Sequence, residues 1–367
     1  MGKKLILVIL IFLSAACSNV DKELISKTEN RINGETITLS GFEENNLLKK
    51  NISNLKVYSL DKEKNKVYYE EKVDYVITGN RIKRIKGSNI PNFASHKVIF
   101  NNDFSFTFAS FPRNPELTIE YQIFCDYNFY DSEIFHGYLN TSFLSAGLKK
   151  KIINKEEIKI AVIGTSITAG VHTLSHFYEG SDRDTYAQLV AKAIKIKFGS
   201  NVIVENFSKD GSTLGFLEQS YEKILKGDYD LVFIEFGMND HLYSTWANNI
   251  SNFELSISDV IKKLKNSNLN VILVGFFQQN TKWDLEFSGS TDAYNQSLFD
   301  ISKKYNCFFA DINKEFSKYS QKKINEDLCG DYMHHPTTFG HQLYYKTIMP
   351  VFFDNSVTDG ALYKLIN

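Results

Sequence analysis

Two textures of hydrophobic patterning divide the chain. From residue 42 to about residue 130, apolar and polar residues alternate in short segments. Residues 54–60, 66–76, 81–85, 96–100, 104–108 and 117–124 each contain β-branched side chains, mixed with aromatic ones in all but 81–85. Turn formers separate them: Asp61, Gly79-Asn80, Gly87-Ser88-Asn89, Asn101-Asn102-Asp103 and the stretch 112–115. Short strands at this spacing predict an antiparallel β-sandwich. From residue 159 continuous apolar runs take over and alternate with helical periodicity. Strands are predicted at 160–163, 202–206, 231–236, 271–276 and 307–311, and helices at 184–198, 214–225, 253–264, 292–305 and 338–351. Unbroken apolar strands alternating with helices predict a parallel sheet covered on both faces, an α/β fold. Ligands of such folds bind beyond the carboxyl ends of the strands, so chemistry is expected in the loops that follow them.

The N-terminus has a different pattern. Lys3 and Lys4 precede an apolar run over 5–13, and Ser14-Ala15-Ala16-Cys17 follows. This order reads as a signal peptide, and the run is too short to span a bilayer. Small residues before a cysteine resemble the bacterial lipoprotein cleavage site. That resemblance implies a lipidated Cys17 and attachment to a membrane at the cell envelope, in the outer membrane or at the cell surface. The alternative is simple secretion to the periplasm or medium. The expected organisation is a signal peptide over 1–17, a polar tether over 18–41, a β-rich accessory domain over 42–150 and the α/β domain over 151–367.

Composition narrows the partners. Lys and Arg number 42 against 43 Asp and Glu, a net charge of −1, with no long basic run. Nucleic acid is excluded, because phosphate binding needs clustered Lys and Arg. Beyond Cys17 the cysteines are Cys125, Cys307 and Cys329. Cys307 and Cys329 can pair outside the cytoplasm, or all three remain as buried thiols. No close Cys/His spacing suggests zinc.

Four segments of the C-terminal half carry candidate chemistry. Residues 158–170 read IKIAVIGTSITAG. This places Ser166 at the end of a strand and over the start of a helix, where N–H groups face developing negative charge. Residues 206–213 read NFSKDGST, with Gly211 in a loop able to turn an N–H toward Ser166. Residues 236–241 read FGMNDH, where Asn239 can aim an amide at the same space and Asp240 is expected to brace its loop. His241 is a candidate for the cleft wall. Residues 330–341 read GDYMHHPTTFGH and place Asp331, His334 and His335 before the last helix. His172 and His176 lie in a polar loop and are expected to shape substrate entry, since a metal reading finds no third ligand.

In this order the four segments resemble the SGNH (GDSL-like) hydrolase family, over about residues 159 to 351. The resemblance implies a flavodoxin-like α/β/α three-layer domain with a central parallel sheet, and ester hydrolysis without metal or organic cofactor. It implies Ser166 as nucleophile, a histidine as base and Asp331 as the group that orients it. The N–H groups of Ser166 and Gly211, with the Asn239 amide, would form the oxyanion hole. Two departures stand out. Thr165 occupies the place of the family's aspartate. The family's histidine lies three residues after the aspartate and directly before proline, whereas here His334 meets the first criterion and His335 the second. His335 is the expected base, because Pro336 to His341 matches the family's run into the last helix, with His334 as the alternative. The N-terminal half is similar to β-domains attached to carbohydrate-esterase-like members, which implies removal of small acyl groups, acetyl foremost, from carbohydrate or glycoconjugate. Its aromatic residues are candidates for sugar stacking or for a sandwich core. The other readings are a lipid esterase or lysophospholipase of the same family, and a catalytically inactive glycan-binding lipoprotein.

Overall fold

A computed structural model describes residues 29–95, 118–130, 134–135, 143–174, 184–242, 249–281, 290–353 and 357–367. The predicted signal peptide with Cys17, the predicted strands at 96–100 and 104–108, and His176 lie outside these residues.

The N-terminal region is antiparallel. Its strands are β1 (Asn30–Ile37), β2 (Asn45–Asn46), β3 (Ile52–Leu60), β4 (Lys66–Tyr69), β5 (Tyr75–Thr78), β6 (Arg81–Arg84) and β7 (Ile123–Phe129). They form a four-stranded sheet in the order β1-β7-β3-β4 and a three-stranded sheet in the order β2-β6-β5, and the two-residue β8 (Ile134–Phe135) pairs separately, antiparallel to Val357–Thr358. One correction falls on the expected tether over 18–41, because β1 lies inside it. The sequence of β1, NRINGETI, is polar, but Glu35 and Thr36 are buried and bonded to distant partners. Another falls on the strand expected over 66–76. It breaks into β4 and β5 at a turn in which Asp74 N–H donates to Glu70 O at 2.8 Å and Glu70 N–H to the Asp74 carboxylate at 3.0 Å. The segment 117–124 opens as a 3-10 turn, Thr118–Glu120, and becomes strand only at Ile123.

The C-terminal region is built on β9 (Ile158–Gly164), β10 (Val202–Asn206), β11 (Leu231–Glu235), β12 (Asn270–Val274) and β13 (Phe308–Ala310). All their pairings are parallel, in the order β10-β9-β11-β12-β13. This is the flavodoxin-like order of a three-layer α/β/α domain. Every residue of β11 and β12 is buried, which explains their unbroken apolar sequence. The helices Tyr186–Phe198 and Thr338–Ile348 pack together, and Leu214–Lys226, Ile250–Asn266 and Thr291–Tyr305 pack in series. Side-chain oxygens of Asn249, Ser290 and Thr337 cap the starts of three of them. The helix expected over 338–351 ends at Ile348 and continues as a 3-10 turn to Phe352, and a further helix, Asp359–Lys364, follows it. Among the described residues no helix is long and apolar enough to cross a membrane. Cys125, Cys307 and Cys329 are all buried free thiols, so Cys307 and Cys329 do not pair.

Strand order reverses between β9 and β11, and the crevice at that switch point is where such domains take ligands. Ser166 follows β9 and Asn239 follows β11.

Candidate active site

The end of β9 is shaped by close packing. A Cβ on Gly164 would lie 2.5 Å from the Thr168 hydroxyl and 2.8 Å from the Glu235 carbonyl, so this position admits only glycine. Thr165 then caps the short helix Ser166–Ala169, and Ser166 opens it. One oxygen of Glu235 accepts from the Thr165 N–H (3.0 Å), the Thr165 hydroxyl (2.8 Å) and the Thr168 hydroxyl (2.9 Å). Burial raises the Glu235 carboxyl to about 7, against the pull of these donors. Sequence reasoning missed Glu235. Its signal was an acidic residue closing an otherwise apolar strand, LVFIE.

The second candidate block, residues 329–337, is a closed loop. Cys329 and Pro336 form an antiparallel bridge, Gly330 N–H donates to His335 O at 2.9 Å, and Thr337 N–H donates to Leu328 O at 2.8 Å. Gly330 is required, since a Cβ there would lie 2.9 Å from His172 Cβ. Inside the loop, Asp331 Oδ1 accepts the N–H groups of Met333, His334 and His335 at 2.9, 3.1 and 3.1 Å. Tyr332 takes a left-handed backbone with φ 65°. Asn280, another residue the sequence did not reveal, donates its side-chain amide to Tyr332 O and its backbone N–H to Met333 O, each at 2.9 Å.

That curl gives the two histidines different partners. His335 Nδ1 is 2.5 Å from Asp331 Oδ2, and His335 Nε2 is 2.8 Å from Ser166 Oγ. His334 Nδ1 stands 4.0 Å from the same Asp331 oxygen. Burial, with the adjacent His335 charge, pushes His334 well below the usual imidazole range. Burial alone would raise Asp331, but the His335 ring beside it prevails and holds the carboxylate well below its ordinary value. The His334 and His172 rings lie 4.0 and 5.1 Å from the His335 ring, centroid to centroid.

The oxyanion candidates gather at the ends of β9 and β11. Ser212 donates its hydroxyl to Gly164 O at 3.1 Å, and Lys209 N–H reaches the same carbonyl at 3.1 Å, so the loop bearing Gly211 is held against the end of β9. Gly211 itself is exposed. Asn239 is buried and donates one amide N–H to Ser212 O at 2.8 Å. Asp240 braces two loops, accepting from Leu214 N–H at 2.8 Å and Gly237 N–H at 3.0 Å, and burial raises it to about 6 against those donors. His241, a candidate for the cleft wall, is instead fully buried, between Gly237 O at 3.0 Å and Gln279 Oε1 at 3.1 Å. His172 joins Asp331 and His335 in a group whose ligand atoms all lie within 4.8 Å of one another. The sequence showed no such neighbours for His172. Within the group His335 Nδ1 and Asp331 Oδ2 bond to each other, while Asp331 Oδ1 accepts backbone N–H groups and His335 Nε2 meets Ser166 Oγ.

Residues 162–343 match the family model described as GDSL-like Lipase/Acylhydrolase. This part of the chain is a GDSL-like hydrolase domain. The hydrolase domain spans the serine block at its start and the Asp331–His335 loop at its end. Among solved structures, the chain is similar to Axe2, an acetylxylan esterase from Geobacillus stearothermophilus, at 19% identity over 53% of this chain and 94% of that one, with a TM-score of 0.44. It is also similar to LAE5, an alpha/beta hydrolase enzyme from the metagenome of Lake Arreo, Spain, at 19% identity over 56% of this chain and 96% of that one, again with a TM-score of 0.44. A comparison with curated proteins found no match.

Proposed function

We propose that this chain is an exported serine esterase that removes small acyl groups, acetyl foremost, from carbohydrate or glycoconjugate. The observation that carries the reading is the hydrogen-bonded series Ser166 Oγ, His335 Nε2, His335 Nδ1, Asp331 Oδ2 beyond the carboxyl end of β9. A hydroxyl in that position becomes a nucleophile when the imidazole takes its proton.

The steps follow from the atoms. Ser166 Oγ attacks the acyl carbonyl while its proton passes to His335 Nε2. Asp331 fixes the tautomer with the proton on Nδ1 and stabilises the imidazolium. The N–H groups of Ser166 and Gly211, with the second N–H of the Asn239 amide, take the oxyanion. His335 returns the proton to the departing sugar oxygen. A water molecule, deprotonated by His335, then attacks the acyl carbonyl, and His335 returns that proton to Ser166 Oγ as the carboxylic acid departs. The preference for short acyl groups on carbohydrate rests on the export signature and on the β-rich region preceding the hydrolase domain. Lipidated Cys17 holds the enzyme at the cell envelope.

Hydrolysis of p-nitrophenyl acetate, octanoate and palmitate, together with acetate release from acetylated xylan, tests the reading. Turnover centred on acetate and abolished by Ser166→Ala is expected. A preference for palmitate would make this a lipid esterase, and no turnover of any ester would make it a glycan-binding protein. The mass of the mature N-terminal fragment tests lipidation.

A further inference from the structure

The loop that carries Asp331 and His335 is rooted in a π-helical turn, Ile324–Leu328, in which Cys329 N–H bonds to Ile324 O at 3.0 Å. A turn of this kind takes carbonyls out of the ordinary helical ladder. Buried carbonyls need donors, and here the donors come from the opposite half of the chain. The Gln122 side-chain amide, just before β7, donates to the carbonyls of Glu326 and Cys329, each at 2.9 Å. The Thr36 hydroxyl on β1 donates to Asp327 O at 2.5 Å and lies 3.0 Å from the Thr337 hydroxyl, which caps the last long helix. Ile119 N–H donates to Gly330 O at 3.2 Å, next to Asp331. The fully buried Asp327 carboxylate accepts the Thr38 N–H (2.7 Å), the Thr38 hydroxyl (3.0 Å), the Asn45 amide (3.1 Å) and Lys323 Nζ (3.1 Å). Thr36, Thr38 and Gln122 are all buried.

We propose that Gln122 and Thr36 are positioning residues for catalysis: the N-terminal sheet holds the Asp331–His335 loop in register with Ser166, and the two regions form one catalytic unit. This rests on reading Ser166, His335 and Asp331 as the triad. The Gln122 amide fastens both ends of the segment 326–329, and Asp331 begins two residues later. Removing it leaves two buried carbonyls without that donor, and they recover partners only if the loop shifts. A displacement of about 1 Å between reacting groups is enough to cost ~10²-fold in rate.

The test is Gln122→Met, which keeps the side chain's length and deletes the donor. The expected variant is folded, with kcat for p-nitrophenyl acetate lowered about 10- to 100-fold and KM within about twofold. The rate at which a fluorophosphonate labels Ser166 should fall in parallel, because it reads the nucleophile's activation directly. Tyr58→Phe serves as the control. It deletes a buried hydrogen bond in the same sheet, from Tyr58 to Asp126 at 3.0 Å, and should leave kcat and labelling unchanged. A folded Gln122→Met with wild-type kcat and labelling overturns the proposal. If that variant does not accumulate, Thr36→Val, which deletes the hydroxyl and keeps the β-branch, is judged by the same criterion. Ser166→Ala separates the two readings. An inactive Ser166→Ala with an unimpaired Gln122→Met removes only the positioning role, whereas an active Ser166→Ala removes the triad.

Discussion

Thr165 gives both its backbone N–H and its hydroxyl to a single oxygen of Glu235, at 3.0 and 2.8 Å. The threonine that replaces the SGNH family's aspartate therefore has a defined task in this chain. It ties the turn beneath Ser166 to the last residue of β11, and the Thr168 hydroxyl adds a third bond to the same oxygen at 2.9 Å.

The state of Glu235 sets a pH dependence of stability. Burial lifts its folded value to about 7, from an ordinary value of 4.5. A carboxyl raised in this way keeps its proton in the folded state while the unfolded chain ionises. Its contribution is full below about 4.5 and is lost as pH rises through about 7, an amount of about 3 kcal/mol. Glu235→Gln should lack this slope. Urea unfolding at pH 5 and pH 8 checks it: the variant's stability relative to wild type should increase between the two, and a constant difference would refute the assignment.

His335 and His334 are neighbours in sequence with different surroundings. His335→Asn should lower turnover on the order of 10⁴-fold or more, as removal of one member of a serine triad does. His334→Asn should retain turnover within about tenfold, because only the His335 ring bridges Ser166 and Asp331. Steady-state kinetics of both variants on p-nitrophenyl acetate decide the matter, and a dead His334 variant beside an active His335 variant would reverse the assignment.

Asn239→Ala should lower kcat by ~10²–10³-fold with KM little changed, the signature of a donor that acts on transition-state charge. Weaker binding at unchanged kcat would instead assign the amide to its other contact, the Ser212 carbonyl at 2.8 Å.

The three described cysteines should titrate as thiols. Burial pushes the Cys125, Cys307 and Cys329 thiols up, so they should resist a thiol reagent in the folded protein. Unfolding without reductant should release all three to the reagent, and loss of two equivalents would reveal a disulfide.

Most of the hydrolase domain could be read in the sequence, and the reason is physical. Strands such as β11 and β12 are covered on both faces and so are apolar throughout, while the residues beyond their ends must be Gly, Asn, Asp or His to turn and to meet a substrate. The polar strand β1 was hidden for the opposite reason. Its buried Glu35 and Thr36 are satisfied by Lys323 and Asp327, nearly 300 residues away, and no local pattern reports such partners. The choice between His334 and His335 needed geometry as well. Linear spacing favours the residue three after Asp331, but the left-handed Tyr332 and the three N–H groups wrapped on Asp331 Oδ1 bring the fourth into contact. Glu235, Asn280 and Gln122 support other groups from a distance, and nothing beside them in the chain marks that work.

The Thr36–Thr337 contact has a consequence for how the molecule comes into being. These residues are 301 positions apart, so β1 lacks this partner until Thr337 has been made. Closing so wide a loop is slow relative to local helix formation. The N-terminal sheet and the loop it contacts are accordingly joined late, after the strands and helices between them have been made.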